Sequence, residues 1–396
     1  MPLSQHPFNL NKAVRLYGSF YMLLFANLAL LGPFLPLLLE SRDFTVQQVG
    51  FIVAAITLTK LVAPSFWGII SDRTGLRMRL IRISLILSFL SLVPLCWTLS
   101  LWQTIITLFV FNFFLDAAIP LFEVNTFLSL GVNSKHYGTL RGVGTIGYIT
   151  ALVAFPLLVD FLGVHILPFV LLILLSVLWL LGHVVPEATV RSQPVPNQAP
   201  FSHFFRTKTT WIYILTAVSF HASFASVHTF FSLYCQNLGL STFKTGILWS
   251  IGPLLEIGIF IRLSQLLQRF NYLGLAALAF IVMTGRWLFI PMAGNNYWLL
   301  LFGMALHALC YAPFHGAMIF WAKDYFGDRH AGKAQGLYAG VAIGIGGPMG
   351  SLLSGFVWDQ YSPASIFLIA AVFSIAGLLL LMMEYYGKSA PPSPTA

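Results

Sequence analysis

Charge is what this sequence has least of. Asp, Glu, Lys and Arg make up 8% of its 396 residues, where soluble domains carry about 25%. A chain of this size cannot cover a water-facing surface with so few charges, so a soluble globular fold is excluded. Cysteine is scarce as well. Cys96, Cys235 and Cys310 are odd in number and lie in or beside apolar runs. That argues against a disulfide framework and a metal centre, and leaves packing as their expected role. Strict apolar–polar alternation is missing, which excludes an outer-membrane barrel. No G-x-x-x-x-G-K-S/T stretch occurs, so ATP-driven work by this chain is not expected. No nucleophile, base and acid stand in a catalytic pattern, and neither an enzyme nor a cofactor is expected. The opening dozen residues are polar and the first apolar run is long enough to span, so no cleavable signal peptide is expected.

What is present is a series of long apolar runs. Hydrophobic residues account for 58% of the chain. The pattern predicts an all-α membrane protein with twelve spans, at 15–39, 46–70, 79–99, 102–128, 138–161, 164–185, 209–233, 243–265, 273–293, 297–320, 333–356 and 364–385. A polar, proline-bearing segment at 186–208 divides them into six and six, giving halves at 1–185 and 209–396. With the amino terminus in the cytoplasm, 16 of the 21 Lys and Arg fall on the cytoplasmic side. Arg42 and Lys244 fall on the far side, and Lys60, Arg141 and Arg286 are embedded. That asymmetry predicts both termini in the cytoplasm. It also accounts for the +9 charge without a nucleic-acid partner.

The stretch 111–148 holds the sharpest pattern. Asp116 and Glu123 are seven apart and share one helical face. Arg141, Thr145 and Tyr148 share a face of the next helix, and the polar turn between, Gly131 to His136, is too short to separate the two. Glu123 lies about two turns before the turn and Arg141 about one turn after it, so an acid and an arginine face each other at similar depth. An ionisable group at mid-bilayer costs about 2.5–3.5 kcal/mol by insertion scales and marks a cavity or an ion path. Glu256 and Arg286 form a second candidate pair on neighbouring spans. His307, Tyr311 and His315 make one stripe on span ten. Pro33, Pro36, Pro120 and Pro313 are expected at kinks. Glycines at 336, 340 and 344 make a smooth seam on span eleven, expected to be a packing surface.

Two repeated elements bring in a resemblance. Span five opens Gly138-x-x-Arg141-Gly142 and span eleven opens Gly332-x-x-Gln335-Gly336, 194 residues apart. After span two comes Gly68-Ile-Ile-Ser-Asp72-Arg73-Thr-Gly75-Leu-Arg77, which resembles the signature loop of the major facilitator superfamily. The resemblance implies two six-helix halves related by an axis along the membrane normal. It also implies that Gly68, Asp72, Arg73, Gly75 and Arg77 serve the conformational switch, with the aspartate pairing to arginine and the next helix end.

A narrower resemblance covers nearly the whole chain. Lys60-Leu-Val-Ala-Pro-Ser-Phe-Trp-Gly68, Tyr137 through Tyr148, Trp249 through Glu256, and Leu306-His307 through Phe314-His315 are similar to the phenylpropionate permease branch. That branch belongs to the lactose-permease-like group of proton symporters. Glu123 and Arg141 match the group's substrate-handling acid and arginine, and Tyr148 matches an aromatic on the same face. Where the lactose permeases carry two aspartates on span seven, His221 and His228 stand here. Around His307, Met304, Ala305, Cys310 and Tyr311 replace charged neighbours.

These readings predict a proton-coupled symporter of the bacterial inner membrane, working as a monomer on a small organic substrate. The expected substrate is an aromatic carboxylate such as 3-phenylpropionate. A sugar or nucleoside symporter, an efflux antiporter and a membrane sensor are the alternatives. Glu123, Arg141, Tyr148, Lys60, His307 and Tyr311 are expected to bind substrate. Glu256, Arg286, Asp116 and His315 are expected to handle the proton.

Overall fold

The computed structural model describes residues 10–188, 201–327 and 330–389. Most of the central polar segment, residues 189–200, lies outside the described residues. Within them the chain is helical, with no strand. Ten helical stretches are long and apolar enough to cross a membrane. Two, Leu101–Leu162 and Thr242–Met292, run 62 and 51 residues, against about 20 needed for one span. Each turns back on itself at a residue in the left-handed region, Gly131 (φ 52°) and Asn271 (φ 49°). Counted as two spans apiece, they bring the ten stretches to twelve.

The spans are α1 (Leu10–Glu40), α2 (Val46–Thr74) and α3 (Arg77–Cys96), then α4 (Leu101–Leu115 and Ala118–Leu130), α5 (Tyr137–Leu162) and α6 (Val164–Val184). The second half holds α7 (Lys208–His228 and Phe231–Asn237), α8 (242–270), α9 (272–292) and α10 (Tyr297–Ala305 and His307–Phe326). It closes with α11 (Ala331–Gln360, with a π-helical turn at Tyr338–Ala342) and α12 (Ser365–Ser389). Polar side chains start several of them. Thr207, Ser241 and Asn296 accept hydrogen bonds from the first free N–H groups of α7, α8 and α10.

Three of these helices are interrupted. α4 opens at Asp116–Ala117, where Pro120, lacking an N–H, leaves the carbonyl four residues earlier without its partner. α7 opens at Thr229–Phe230 with no proline nearby. α10 opens at Leu306, upstream of the Pro313 expected to bend it.

By packing, the chain forms two compact units: Met1–Leu38 with Val62–Gln193, and Leu39–Leu61 with Pro194–Ala396. The first part of α2 therefore packs with the second unit, against α11. Cβ atoms added at Gly344 and Gly347 would lie 2.5 Å from Leu61 and 2.4 Å from Thr57, and Gln47 N donates to Asp359 Oδ2 at 3.1 Å. The other face of α11 meets α7. There a Cβ at Gly346 or Gly350 would stand 2.4 Å from Val218 O or 2.2 Å from Ala222 O. The expected glycine seam is present but lies later in the helix, since Gly336 faces open space. In the first unit, α1 and α5 cross as closely, with Gly147 against Met22 O. The outward surface is apolar, with Ile106, Ile173, Ile261 and Leu368 more than half exposed, as lipid contact requires.

The signature loop turns at Gly75 (φ 70°). The free N–H groups at the head of α3 go to Glu187, which accepts from Met78 N at 2.9 Å and Arg79 N at 3.3 Å. Asp72, expected there, is exposed, while Arg73 is exposed and Arg77 buried. Glu187 lies just past the end of α6, and Asn125 holds that segment through Pro186 O and Ala188 N.

Candidate functional site

In the first unit, the helical hairpin of α4 and α5 brings Glu123 and Arg141 together. Arg141 Nε donates to Glu123 Oε1 at 2.9 Å, with 48% of the arginine side chain and 31% of the glutamate exposed. The bond uses one edge of the guanidinium. Among the described residues, the Nη1 and Nη2 end of the fork has no hydrogen-bond partner. Phe25 of α1 lies under it, 5.5 Å from Cζ to the ring centre. Tyr21 meets Phe25 edge-on at 5.9 Å and Phe122 at 4.7 Å. Tyr148 is half-buried two turns along α5. Asp116 is 6% exposed at the α4 interruption. Asn112, one turn earlier, gives its side-chain amide to Leu108 O at 3.0 Å.

In the second unit, Arg286 of α9 is fully buried. Its Nε donates to Gly303 O at 2.8 Å, Nη2 reaches Met304 Sδ at 3.1 Å, and Nη1 lies 3.4 Å from His307 Nδ1. Its Cζ sits 4.1 Å over the Trp287 ring. On the other side of the imidazole, His307 Nε2 stands 2.7 Å from Glu256 Oε1. The separation is that of a hydrogen bond but the alignment is not, so Oε1 has no hydrogen-bond partner among the described residues. The expected Glu256–Arg286 pair is thus a chain of three, with His307 inserted. Gly252 of α8 permits this, because a Cβ there would lie 2.8 Å from the imidazole.

The order of donors in that chain follows from one fact. A guanidinium has no lone pair to offer, so His307 Nδ1 must accept. The neutral ring then carries its hydrogen on Nε2, towards Glu256.

From His307 a run of rings continues. His228 of α7 stacks on it at 5.6 Å, Tyr311 follows at 5.8 Å and His315 at 5.9 Å. His315 Nδ1 lies 3.2 Å from the Tyr338 hydroxyl, on the π-helical turn of α11. Lys60, on α2, has its backbone beside Gly340 of α11 and belongs to the second unit.

Sequence reasoning reached Glu123–Arg141 and the His307 stripe. It missed Phe25, Tyr21, Gly252 and Tyr338, which meet the named residues only through tertiary packing. It noted His228 only as a replacement and gave it no role. Among the described residues no group of three His, Cys, Asp or Glu could hold a metal. A cavity of about 250 Å³ lies between α1, α5 and α6, lined by Met22, Leu30, Ala151, Phe155 and Leu174. It holds no charged group and is separate from the Arg141 fork.

The family model described as the MFS_1 like family matches residues 14–369. YwbF, an uncharacterized transporter of Bacillus subtilis (strain 168), is 23% identical over 373 residues, with 92% of each chain covered. A probable 3-phenylpropionic acid transporter of Escherichia coli (strain K12) is 21% identical, over 91% of this chain and 95% of its own. Among solved structures, nucleoside transporter NupG superposes with a TM-score of 0.82 at 16% identity, over 96% of this chain and 99% of that one.

Proposed function

We propose, because this chain belongs to the MFS_1 like family, whose members are transporters and not enzymes, that it carries a small aromatic carboxylate into the cell together with a proton. The observation that supports this reading best is the open end of the Arg141 fork. Its free N–H groups suit the two oxygens of a carboxylate in parallel bonds. Phe25 beside it offers ring surface for an aromatic body, and the buried Tyr21 backs that ring edge-on. On this reading Tyr148 adds to the substrate contacts of the first unit, Lys60, His307 and Tyr311 are assigned to substrate within the second, and Asp116 and His315 assist the proton.

Glu256, His307 and Arg286 form the coupling centre. A buried carboxylate oxygen without a hydrogen bond is costly, and a proton on Glu256 would remove the buried charge. The embedded set holds Lys60, Arg141 and Arg286 against Asp116, Glu123 and Glu256, so it balances while the histidines are neutral. One loaded proton makes it positive by one, and a monoanion restores the balance, which a site closing in low dielectric requires. The 68–77 loop is assigned to the switch. The halves at 1–185 and 209–396, the inner membrane, cytoplasmic termini and a monomeric working form belong to the same reading.

The test is Arg141→Lys in proteoliposomes. Lysine keeps the charge but not the fork, so 3-phenylpropionate accumulation should fall to background. Near-normal uptake would remove Arg141 from the site. Glu123 favours a second reading, because its partly exposed carboxylate can accept from the hydroxyls of a sugar or nucleoside. Counterflow competed by galactosides or nucleosides, and not by phenylpropionate, would establish that reading instead.

A further inference from the structure

We propose that Nε2 of His228 is the base that holds the transported proton while Glu256 is ionised. This rests on the proton-coupled reading above. His307 is the obvious carrier, yet Nδ1, the nitrogen that would take a second proton, is already engaged. Nδ1 faces a guanidinium N–H at 3.4 Å and Nε2 faces the Glu256 carboxylate at 2.7 Å. A second proton on His307 would set an N–H at Nδ1 against the N–H of Arg286, two donors with no acceptor between them. The ring can align Glu256 but cannot store its proton.

His228 can. Its Nε2 is buried and has no hydrogen-bond partner among the described residues. An unsatisfied buried nitrogen of this kind is unusual and calls for a role. Its ring stacks on His307 at 5.6 Å and meets Trp249 edge-on at 4.8 Å. The backbone gives a second observation. The first segment of α7 ends at His228 and the helix resumes at Phe231. The break is pinned on both sides, by Thr229 Oγ1 to Ser351 Oγ at 2.9 Å and by Trp249 Nε1 to Ser232 Oγ at 2.9 Å. Interrupted helices inside a membrane protein are tolerated where they line ion and substrate sites.

The neighbours of His228 limit when it can be charged. His221 and Phe224 face it from α7, Trp249 from α8, Arg286 from α9 and His307 from α10. Glu256 lies on the Trp249 face of α8, seven residues on. It supplies the negative charge that offsets Arg286, so His228 takes the proton only when Glu256 has given it up. In that step the Glu256 O–H bond breaks and an N–H bond forms at Nε2. One proton moves and no electron does. The centre holds one proton at a time at two addresses.

The experiment uses the full chain in proteoliposomes, with labelled 3-phenylpropionate as probe. Uphill uptake under an imposed pH gradient is compared with counterflow, which needs no net proton movement. His228→Asn should keep counterflow and lose tenfold or more of its accumulation, with a pH profile of uptake that becomes flat. A purely structural role would lower counterflow and uptake together and leave the profile in place, which would overturn the proposal. Where His228→Asn does not reach the membrane, His228→Gln is measured in its place, and coupled uptake by either variant overturns the proposal. A wild type that ignores the pH gradient would overturn the symport reading and this inference with it. A responsive wild type beside an equally responsive His228→Asn would overturn this inference alone.

Discussion

Arg286 sets the arrangement of the groups around it. A fully buried guanidinium must place its donors, and here a backbone carbonyl, a thioether and an imidazole receive them. Each contact fixes the next group. The arginine fixes the tautomer of His307, and the tautomer fixes which nitrogen meets Glu256. Removing charge at the end of this chain should therefore separate substrate movement from proton movement. Glu256→Gln keeps the shape and hydrogen-bonding of the side chain but cannot ionise. It should retain counterflow within a few fold while its accumulation ratio under a pH gradient falls to about one, because a ligand bound without a coupled proton only equilibrates. Proton-driven accumulation by Glu256→Gln would remove Glu256 from the coupling step and leave Glu123 as the acid to test.

Helices meet here through glycine, and that decides which substitutions the elements accept. On α11, Gly350 has a backbone oxygen 2.2 Å from any added Cβ, while Gly336 has nothing within 4 Å. Gly350→Ala must push α11 from α7, at a cost of about 1–3 kcal/mol for overpacking. Its unfolding midpoint in detergent should fall, and Gly336→Ala should leave it unchanged; equal midpoints would contradict the seam. The spans were legible because each is a continuous apolar run, and Glu123–Arg141 was legible because a short turn forces adjacent helices together. The Glu256–His307–Arg286 chain was not, because its members come from α8, α9 and α10 and His307 reaches Glu256 through the missing Cβ of Gly252. The α7 break was illegible too. No proline or glycine marks His228-Thr229-Phe230, and the tie to Ser351 comes from α11, more than a hundred residues away.

At the scale of the whole molecule, the sparse charges do two jobs. On the proposed reading their sidedness orients the chain, and the embedded ones set the charge of what crosses. A cysteine replacing Asp43 should be labelled by an impermeant maleimide in intact cells, and one replacing Lys135 only after permeabilisation. Cys235 and Cys310 are buried, and the half-buried Cys96 is first replaced by serine so that the native background is low. The reverse pattern would invert the assigned topology. If a monoanion travels with one proton, uptake should be electroneutral, and a membrane potential imposed with potassium and valinomycin should change its initial rate by less than about twofold, whereas a charged translocated complex gains about 2.3 kcal/mol per 100 mV. A strong dependence on potential would point to a neutral substrate. Residues 39–61 come early in the chain but lie among helices of its second half. A gene cut in two within codons 189–200 would leave those residues on the first product, seated against Gly344 and Gly347 of the second. The two polypeptides, made separately in one cell, should find each other and restore uptake. The same seam would let a lineage survive fission of this gene, or arise from the fusion of two.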